Sequence, residues 1–189
     1  IKKLIEKSVL EEKVKEISIN IFHELAIAES QIHGVNIKKV FFHEIGAWDS
    51  IIDNIIAAAI IHSFASKHQI TWSCSPIPLG KGNIKTAHGL LSIPALATSI
   101  LLKNIPVIDD GIEGERTTPT GAAILSVIKP LPDIASANKR TLSILKQGIG
   151  IGNKDLKTIP NILRVLIFKE AKNTIKNTPM KSFDQIQDF

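Results

Sequence analysis

The fold of this chain is decided around the stretch VFFHEIGAWDS, residues 40–50. An apolar run that favours β-structure ends there in His43 and Glu44, and after a glycine Asp49 or Ser50 can cap a helix. Ionisable side chains are thus gathered where a strand passes into a helix. Because buried ionisable groups are costly unless they are paired, protonated or bound to a ligand, this junction is the first candidate site.

The pattern on either side predicts an α+β fold, in which a mixed sheet packs against helices. Residues 49–66 form an apolar run, which predicts a helix that is buried nearly all round. Strands are predicted at residues 39–43 and 70–75, so that strand, helix and strand make one crossover unit with parallel pairing. The helix before this unit is predicted to begin at a capping box of Ser8 and Glu11 and to end at Gly34.

Further elements follow from turn and capping residues. Pro94 is expected as the first residue of a helix that runs to residue 103, and Thr118 as the N-cap of a helix that runs to residue 128. A strand is predicted at 84–87, and two more at 141–146 and 162–168. A turn is predicted between the last two strands at the alternating glycines Gly148, Gly150 and Gly152.

Length and composition predict one domain over residues 1–168, followed by a linker or tail over 169–189. The single cysteine, Cys74, excludes a disulfide within the chain and a zinc site built from thiolates, and it fits a reducing, cytoplasmic setting. No apolar stretch is long enough to span a bilayer, and no signal peptide is visible. Because Met180 is the only methionine, we expect an internal piece of a longer protein.

The chain is basic, with 23 Lys and Arg against 18 Asp and Glu and a formal net charge of +5. The lysines are scattered, they form no stripe interleaved with aromatic residues, and the chain has no tyrosine. This distribution argues against a nucleic-acid partner.

The first constellation is a set of possible metal ligands. Asp49 and Asp53 are four residues apart and share one helical face, next to His43 and Glu44. Imidazole together with carboxylates suits a divalent metal such as Ni, Zn or Mn. The alternative is that Asp49 only caps the helix while the other side chains are satisfied locally. His88, next to a glycine, is either a further ligand or a structural turn residue.

The second constellation is the run GERTTPTG, residues 114–121, at the start of a predicted helix. Free backbone N–H groups and the helix dipole favour a phosphate or carboxylate there, although simple capping by Thr118 explains the same residues. The Gly-Lys-Ser/Thr ending of a Walker loop is missing, and the glycines at 148–152 have the wrong spacing for a dinucleotide fingerprint. No Gly-x-Ser-x-Gly hydrolase motif occurs.

These segments, in this order, resemble the nickel-insertion proteins of the nickel-pincer nucleotide pathway, the LarC family that matures lactate racemase. The resemblance covers about residues 5–168 and rests on several separated motifs. The matching runs are residues 42–51, 74–82, 87–89, 93–98, 114–123, 148–150 and 160–164.

The resemblance implies a lyase-class nickel insertase. Such an enzyme inserts Ni(II) into pyridinium-3,5-bisthiocarboxylic acid mononucleotide, forms a carbon–nickel bond and consumes CTP. On matching positions, it implies catalytic roles for His43, Glu44 and Asp49, which together with His88 are also the expected nickel ligands. It further implies that the phosphate of the precursor is held by Thr117, Thr118, Thr120 and Gly121.

The expected cofactors are nickel, CTP held by a C-terminal domain beyond this chain, and Mg or Mn. The expected partners are the pincer nucleotide precursor and further copies of the chain, with no nucleic acid and no membrane, and this piece alone is expected to be inactive. Two alternatives remain: a metal-binding scaffold domain without chemistry of its own, and a metal-dependent hydrolase that uses Glu44 or Asp49 as its base.

Overall fold

A computed structural model describes residues 1–40, 42, 48–86, 89–132 and 141–171 of the chain. Contacts divide the chain into two compact units. The first comprises Ile1–Ile134 and Leu156–Ile159, and the second comprises Ala135–Asp155 and Pro160–Phe189. The predicted boundary between a domain and a tail at residue 168 stays a prediction.

The first unit begins with a short helix, α1 (Lys2–Glu6), and a long one, α2 (Glu12–His33). α2 ends as predicted at Gly34, which adopts φ 63° and donates its amide to the Ser30 carbonyl. The predicted capping box is wrong. The Ser8 hydroxyl donates instead to the Ile5 carbonyl oxygen at 2.6 Å, and thus closes α1 rather than opening α2.

The core of the first unit is built around α2. Three more helices, α3 (Trp48–Ala65), α4 (Leu96–Leu101) and α5 (Pro119–Ile128), pack against it. Its own contribution centres on Ile21, Leu25 and Ala28, which are fully buried. The buried apolar residues of the other three helices are Ile51, Ala58, Ala97, Leu101, Ala122 and Ala123.

The helix α3 departs from the prediction in two ways. It begins at Trp48, so Asp49 and Ser50 lie in its first turn and neither is its N-cap. The predicted burial on all sides is also wrong, because Ile52 and Ile60 remain 50% and 49% exposed. The physical reason is that α3 packs on α2 and α5 through one face, which leaves the opposite face uncovered.

The strand predicted at residues 39–43 does not begin at residue 39, which lies in a helical turn. Ile37–Lys39 form a turn of 3-10 helix, whose N-cap Asn36 accepts a hydrogen bond from the Lys38 amide through its side chain at 3.0 Å. Val40 is extended, and the predicted strand residues 41 and 43 lie outside the described residues. The strand predicted at 70–75 is present as β1 (Ser73–Cys74), which pairs in parallel with a late strand, Leu131–Pro132.

The strands of the first unit are short and form both parallel and antiparallel pairs, which confirms a mixed α+β fold. β2 (Ile77–Pro78) pairs in parallel with β6 (Val107–Ile108), and α4 lies in the connection between them. A parallel crossover is therefore present, but not in the segments that the sequence predicted. The antiparallel pairs are β3 (Gly80–Lys81) with β7 (Gly114–Glu115), and β4 (Asn83–Thr86) with β5 (Gly89–Ser92). The remaining short strand, Leu131–Pro132, is β8.

Pro94 does not start α4. The helix begins at Leu96 with Ala95 as its N-cap, so the proline lies before it. α5, by contrast, begins and ends as predicted, with Thr118 as the N-cap.

The described part of the second unit is a two-stranded antiparallel ribbon. β9 (Leu142–Ile151) pairs with β10 (Ile162–Glu170), and the register shifts once, between Ile167 and Phe168. Both strands were predicted, but Gly148 and Gly150 lie within β9 and not in a turn. The connection between the strands runs instead over residues 152–161.

Throughout the described ranges, no helix combines the length and the apolar character needed to cross a membrane.

Candidate functional site

Most backbone N–H groups at the start of α5 are already hydrogen-bonded within the helix. Thr118 accepts a hydrogen bond from the Gly121 amide at 3.3 Å, and its carbonyl accepts one from the Ala122 amide at 2.9 Å. Pro119, at the first helical position, has no N–H. Within the described residues, the Thr120 amide is therefore the first-turn donor that has no partner. The capping interpretation of Thr118 is confirmed, and little of the backbone remains free for an anion.

Thr117 ties the start of α5 to two other segments. Its hydroxyl donates to the Pro78 carbonyl oxygen at 2.7 Å, and its own carbonyl accepts a hydrogen bond from the Thr98 hydroxyl at 3.5 Å. Thr98 is fully buried on α4, and Pro78 ends β2. Three motifs that are far apart in the sequence thus meet at one threonine.

The segments that follow Pro78 and precede Thr117 are joined by backbone hydrogen bonds. Gly80 pairs with Glu115 between β3 and β7, and the Arg116 amide donates to the Leu79 carbonyl oxygen at 3.1 Å. Gly80 is buried with φ +80°, and a Cβ there would overlap the carbonyl oxygen of Gly114 and the side chain of Arg116. A glycine is required at this position both by its conformation and by the close approach of β7.

Arg116 carries the positive charge at this junction. Its Nε donates to Oδ2 of Asp110 at 2.8 Å, and the two side chains are only 14% and 20% exposed. Partial burial acts to raise the pKa of Asp110, but the hydrogen bonds from Arg116 and the Ile112 amide, together with the charge of Arg116, outweigh it. The pKa of this carboxyl group therefore lies below its ordinary value. The pair holds the guanidinium through Nε, and the guanidinium makes no further hydrogen bond to the described residues.

The structure places the predicted phosphate-binding residues at one helix start, and of the predicted metal ligands it describes Asp49. Thr117, Thr118, Thr120 and Gly121 all lie at the start of α5. Asp49 lies exposed in the first turn of α3, where its Oδ1 accepts a hydrogen bond from the Ser50 amide at 2.8 Å.

The other predicted ligands, His43, Glu44 and His88, lie outside the described residues. Among the residues that are described, no group of three His, Cys, Asp or Glu side chains could hold a metal ion. The assignment of nickel ligands therefore stays a prediction.

Two residues of interest have no predicted role. Arg116 lies within the run 114–121, and a lone arginine beside a helix start was a usable signal for an anion site. Asn54 is fully buried on α3, where its Nδ2 donates to the Ser50 carbonyl oxygen at 2.9 Å. Its Oδ1 has no hydrogen-bond partner in the part of the chain that the structure describes. No pattern in the sequence distinguishes this asparagine from an ordinary helix residue.

Comparisons with known proteins agree with the motifs. Residues 1–186 match the model of a family described as "Nickel insertion protein". A relative from Syntrophobacter fumaroxidans is 43% identical over 193 residues, which cover 100% of this chain and 47% of that protein. No solved structure matches the chain.

Two further relatives have a more explicit name, "Pyridinium-3,5-bisthiocarboxylic acid mononucleotide nickel insertion protein". The one from Clostridium kluyveri is 43% identical over 173 residues, covering 92% of this chain and 41% of that protein. The one from Geobacillus kaustophilus is 41% identical over 175 residues, covering 90% of this chain and 40% of that protein. The chain thus spans less than half the length of the curated relatives it matches.

Proposed function

This chain belongs to the nickel insertion protein family, and from that premise we propose that it forms part of an enzyme that inserts Ni(II) into pyridinium-3,5-bisthiocarboxylic acid mononucleotide. Nickel and the nucleotide are both substrates of this reaction, in which a ring carbon exchanges its C–H bond for a carbon–nickel bond and the released proton passes to a base. The observation that carries the proposal is the meeting of three family motifs at Thr117, next to a partly buried arginine.

The phosphate of the nucleotide is assigned to the start of α5. The Thr117 hydroxyl already donates to Pro78, so Thr117 positions the site rather than donating to the ligand. Thr118 uses its oxygen as an acceptor for Gly121, which leaves the hydroxyl hydrogen of Thr118 for a phosphate oxygen. The amide and hydroxyl of Thr120 add two donors.

Arg116 is the cation that this phosphate site needs. With the backbone donors of α5 largely used, the helix start alone offers little to a dianion. The terminal nitrogens of an arginine are suited to bidentate contact with phosphate oxygens. Asp110 keeps the guanidinium in one orientation through the Nε hydrogen bond, and so acts as a positioning residue.

Nickel is assigned to His43, Glu44, Asp49 and His88. Deprotonated carboxylates and neutral imidazoles are workable ligands of Ni(II). His43, Glu44 and Asp49 are also the residues to which we assign the insertion step. CTP is assigned to the part of the relatives' length that this chain does not cover, with Mg or Mn as its companion ion. Assembly into a homo-oligomer in the cytoplasm is part of the same proposal.

The test is a calorimetric titration of the chain with Ni(II), with Zn(II) and Mg(II) as comparison ions. We expect tight nickel binding that His43→Ala abolishes, and nickel-independent binding of ribose 5-phosphate that Arg116→Gln weakens. Thermal unfolding of both variants controls for a loss of fold. Nickel binding that is unchanged in a variant lacking His43, Glu44 and His88 would show that the metal assignment is wrong.

A further inference from the structure

Two aromatic residues bracket the motif segment 43–47, and they differ in their surroundings. Phe42 packs against the core, with its ring centroid 6.2 Å from that of Phe22 on α2. Trp48 begins α3 on the other side of the segment, and it is 67% exposed. Phe42 is thus packed, whereas the indole of Trp48 is largely uncovered.

Among the described residues, nothing gives Trp48 an evident structural role. It makes no aromatic ring contact with the described residues, whereas the other tryptophan, Trp72, packs edge-on against Phe64 with centroids 6.2 Å apart. An indole is the largest apolar side chain, and leaving two thirds of it in water forgoes the stabilisation that burial would provide. Exposed tryptophans are typical of binding surfaces.

We propose that Trp48 is the stacking platform for the pyridinium ring of the nucleotide substrate, an inference that rests on the proposed function. The ring named in the relatives is a cationic aromatic ring. The face of an indole carries the negative end of an aromatic quadrupole and is the best side-chain partner for a cation. Trp48 therefore matches both the shape and the charge of this ring.

The position of Trp48 agrees with the chemistry of insertion. A carbon–nickel bond requires the ring to lie directly beside the metal. The proposed nickel ligands His43 and Glu44 precede Trp48 in the same motif, and Asp49 follows it immediately. With Asp49 as a ligand, the ring must come close to the start of α3, where the indole is exposed.

A protein partner is the alternative ligand for the exposed face of α3 that carries Trp48. Trp48 is followed at successive helical turns by Ile52, Ile56 and Ile60, all about half exposed. This stripe is about 18 Å long, at 1.5 Å per helical residue, whereas a single ring covers one turn of it. The motif position of Trp48, at the end of the stripe that adjoins the proposed ligands, favours the small-molecule ring.

The test compares two probes on the 189-residue chain. Nicotinic acid mononucleotide carries a pyridinium ring on ribose phosphate, and ribose 5-phosphate lacks the ring. By calorimetry, we expect Trp48→Leu to weaken binding of the mononucleotide about 5- to 30-fold, the range of one desolvated cation–π contact. The same variant is expected to bind ribose 5-phosphate as the unaltered chain does.

Further measurements separate this inference from its alternatives. Ile60→Ser, at the far end of the stripe, should leave mononucleotide binding unchanged. Arg116→Gln should weaken both probes, and Ni(II) binding should be the same in Trp48→Leu as in the unaltered chain. Because Trp48 is exposed, Trp48→Leu should also unfold at the same temperature. In a Trp72→Phe chain, where Trp48 is the remaining indole, the mononucleotide should quench tryptophan fluorescence saturably.

The inference is overturned if the unaltered chain does not bind the mononucleotide, or if Trp48→Leu binds it equally well. It is also overturned if Ile60→Ser weakens binding as much as Trp48→Leu, or if sedimentation shows that both variants abolish self-association, since the stripe would then serve a protein partner. A chain that binds the mononucleotide through Trp48 but binds no nickel would overturn the metal assignment and leave this inference standing.

Discussion

The hydroxyl of Thr117 donates to the carbonyl oxygen of Pro78 across 2.7 Å, and the two residues are 39 positions apart in the chain. Through this one bond, the residue before the N-cap of α5 is held against the end of β2. Because the Thr117 carbonyl also accepts from the buried Thr98, the start of α5 is fixed from two sides.

Removing that hydroxyl should loosen the junction. Thr117→Val keeps the shape of the side chain but leaves the Pro78 carbonyl without this donor, so we expect a loss of about 1–3 kcal/mol in the free energy of unfolding. Urea unfolding followed by circular dichroism measures it. Thr117→Ser retains the hydroxyl and should recover most of the loss; a serine variant as unstable as the valine variant would contradict the role of the hydrogen bond.

The ion pair between Asp110 and Arg116 should make stability depend on pH. The pKa of Asp110 is lowered in the folded chain, so its contribution is fully present above the unfolded value of about 3.9 and is lost as the pH falls through the lower folded value. Asp110→Asn should therefore be less stable than the unaltered chain at pH 7.

The urea midpoints of the two proteins should converge on acidification below about pH 4. Asp109→Asn is a matched control, because the Asp109 side chain accepts a hydrogen bond from the Gly111 amide and lies on the same loop. A difference between Asp110→Asn and the unaltered chain that stays constant from neutral to acid pH would argue against a titrating pair.

Gly80 should tolerate no side chain. Gly80→Ala forces a Cβ against the Gly114 carbonyl oxygen and the Arg116 side chain at φ +80°, and we expect a loss of at least about 2 kcal/mol. Gly148 is the matched control, because it lies in β9 and a Cβ added there would have nothing within 4 Å. Gly148→Ala should be neutral or stabilising by up to about 1 kcal/mol. Thermal unfolding of the two variants compares them directly.

A buried residue and a half-exposed residue of the helices should respond differently to truncation of their side chains. Leu25 is fully buried on α2, and Leu25→Ala should cost about 2–5 kcal/mol through lost contacts and a cavity. Ile52, half exposed on α3, should change stability by less than about 1 kcal/mol when it is replaced by Ala. Chemical unfolding curves measure both, and an equally large loss at Ile52 would mean that the outer face of α3 is covered in solution.

Local signals predicted those features that depend on neighbouring residues. Gly34 ends α2 because a left-handed residue closes a helix, and Thr118 begins α5 because its side chain caps the amide of Gly121. The capping box predicted at Ser8 was wrong because a short polar side chain can bond to either of two adjacent helices. In the structure, Ser8 bonds to α1.

The candidate site could be predicted only in part. A run of threonines before a proline indicates a helix start, and this is why Thr117, Thr118, Thr120 and Gly121 were found together. Which of the hydroxyls remain available depends on partners such as Pro78, whose distance from Thr117 in space has no local signal. Arg116 lacked a predicted role although an arginine beside a helix start is a local signal, and only its orientation by Asp110 needed the structure.

The sequence by itself determined the α+β class, most helix positions and the family, because periodicity, capping residues and ordered motifs are properties of short segments. The tertiary structure alone decided that β2, α4 and β6 form the parallel crossover, that α3 buries one face and exposes the other, and that three distant motifs meet at Thr117. These outcomes depend on which surfaces pack together, and long-range packing is a property of the whole chain.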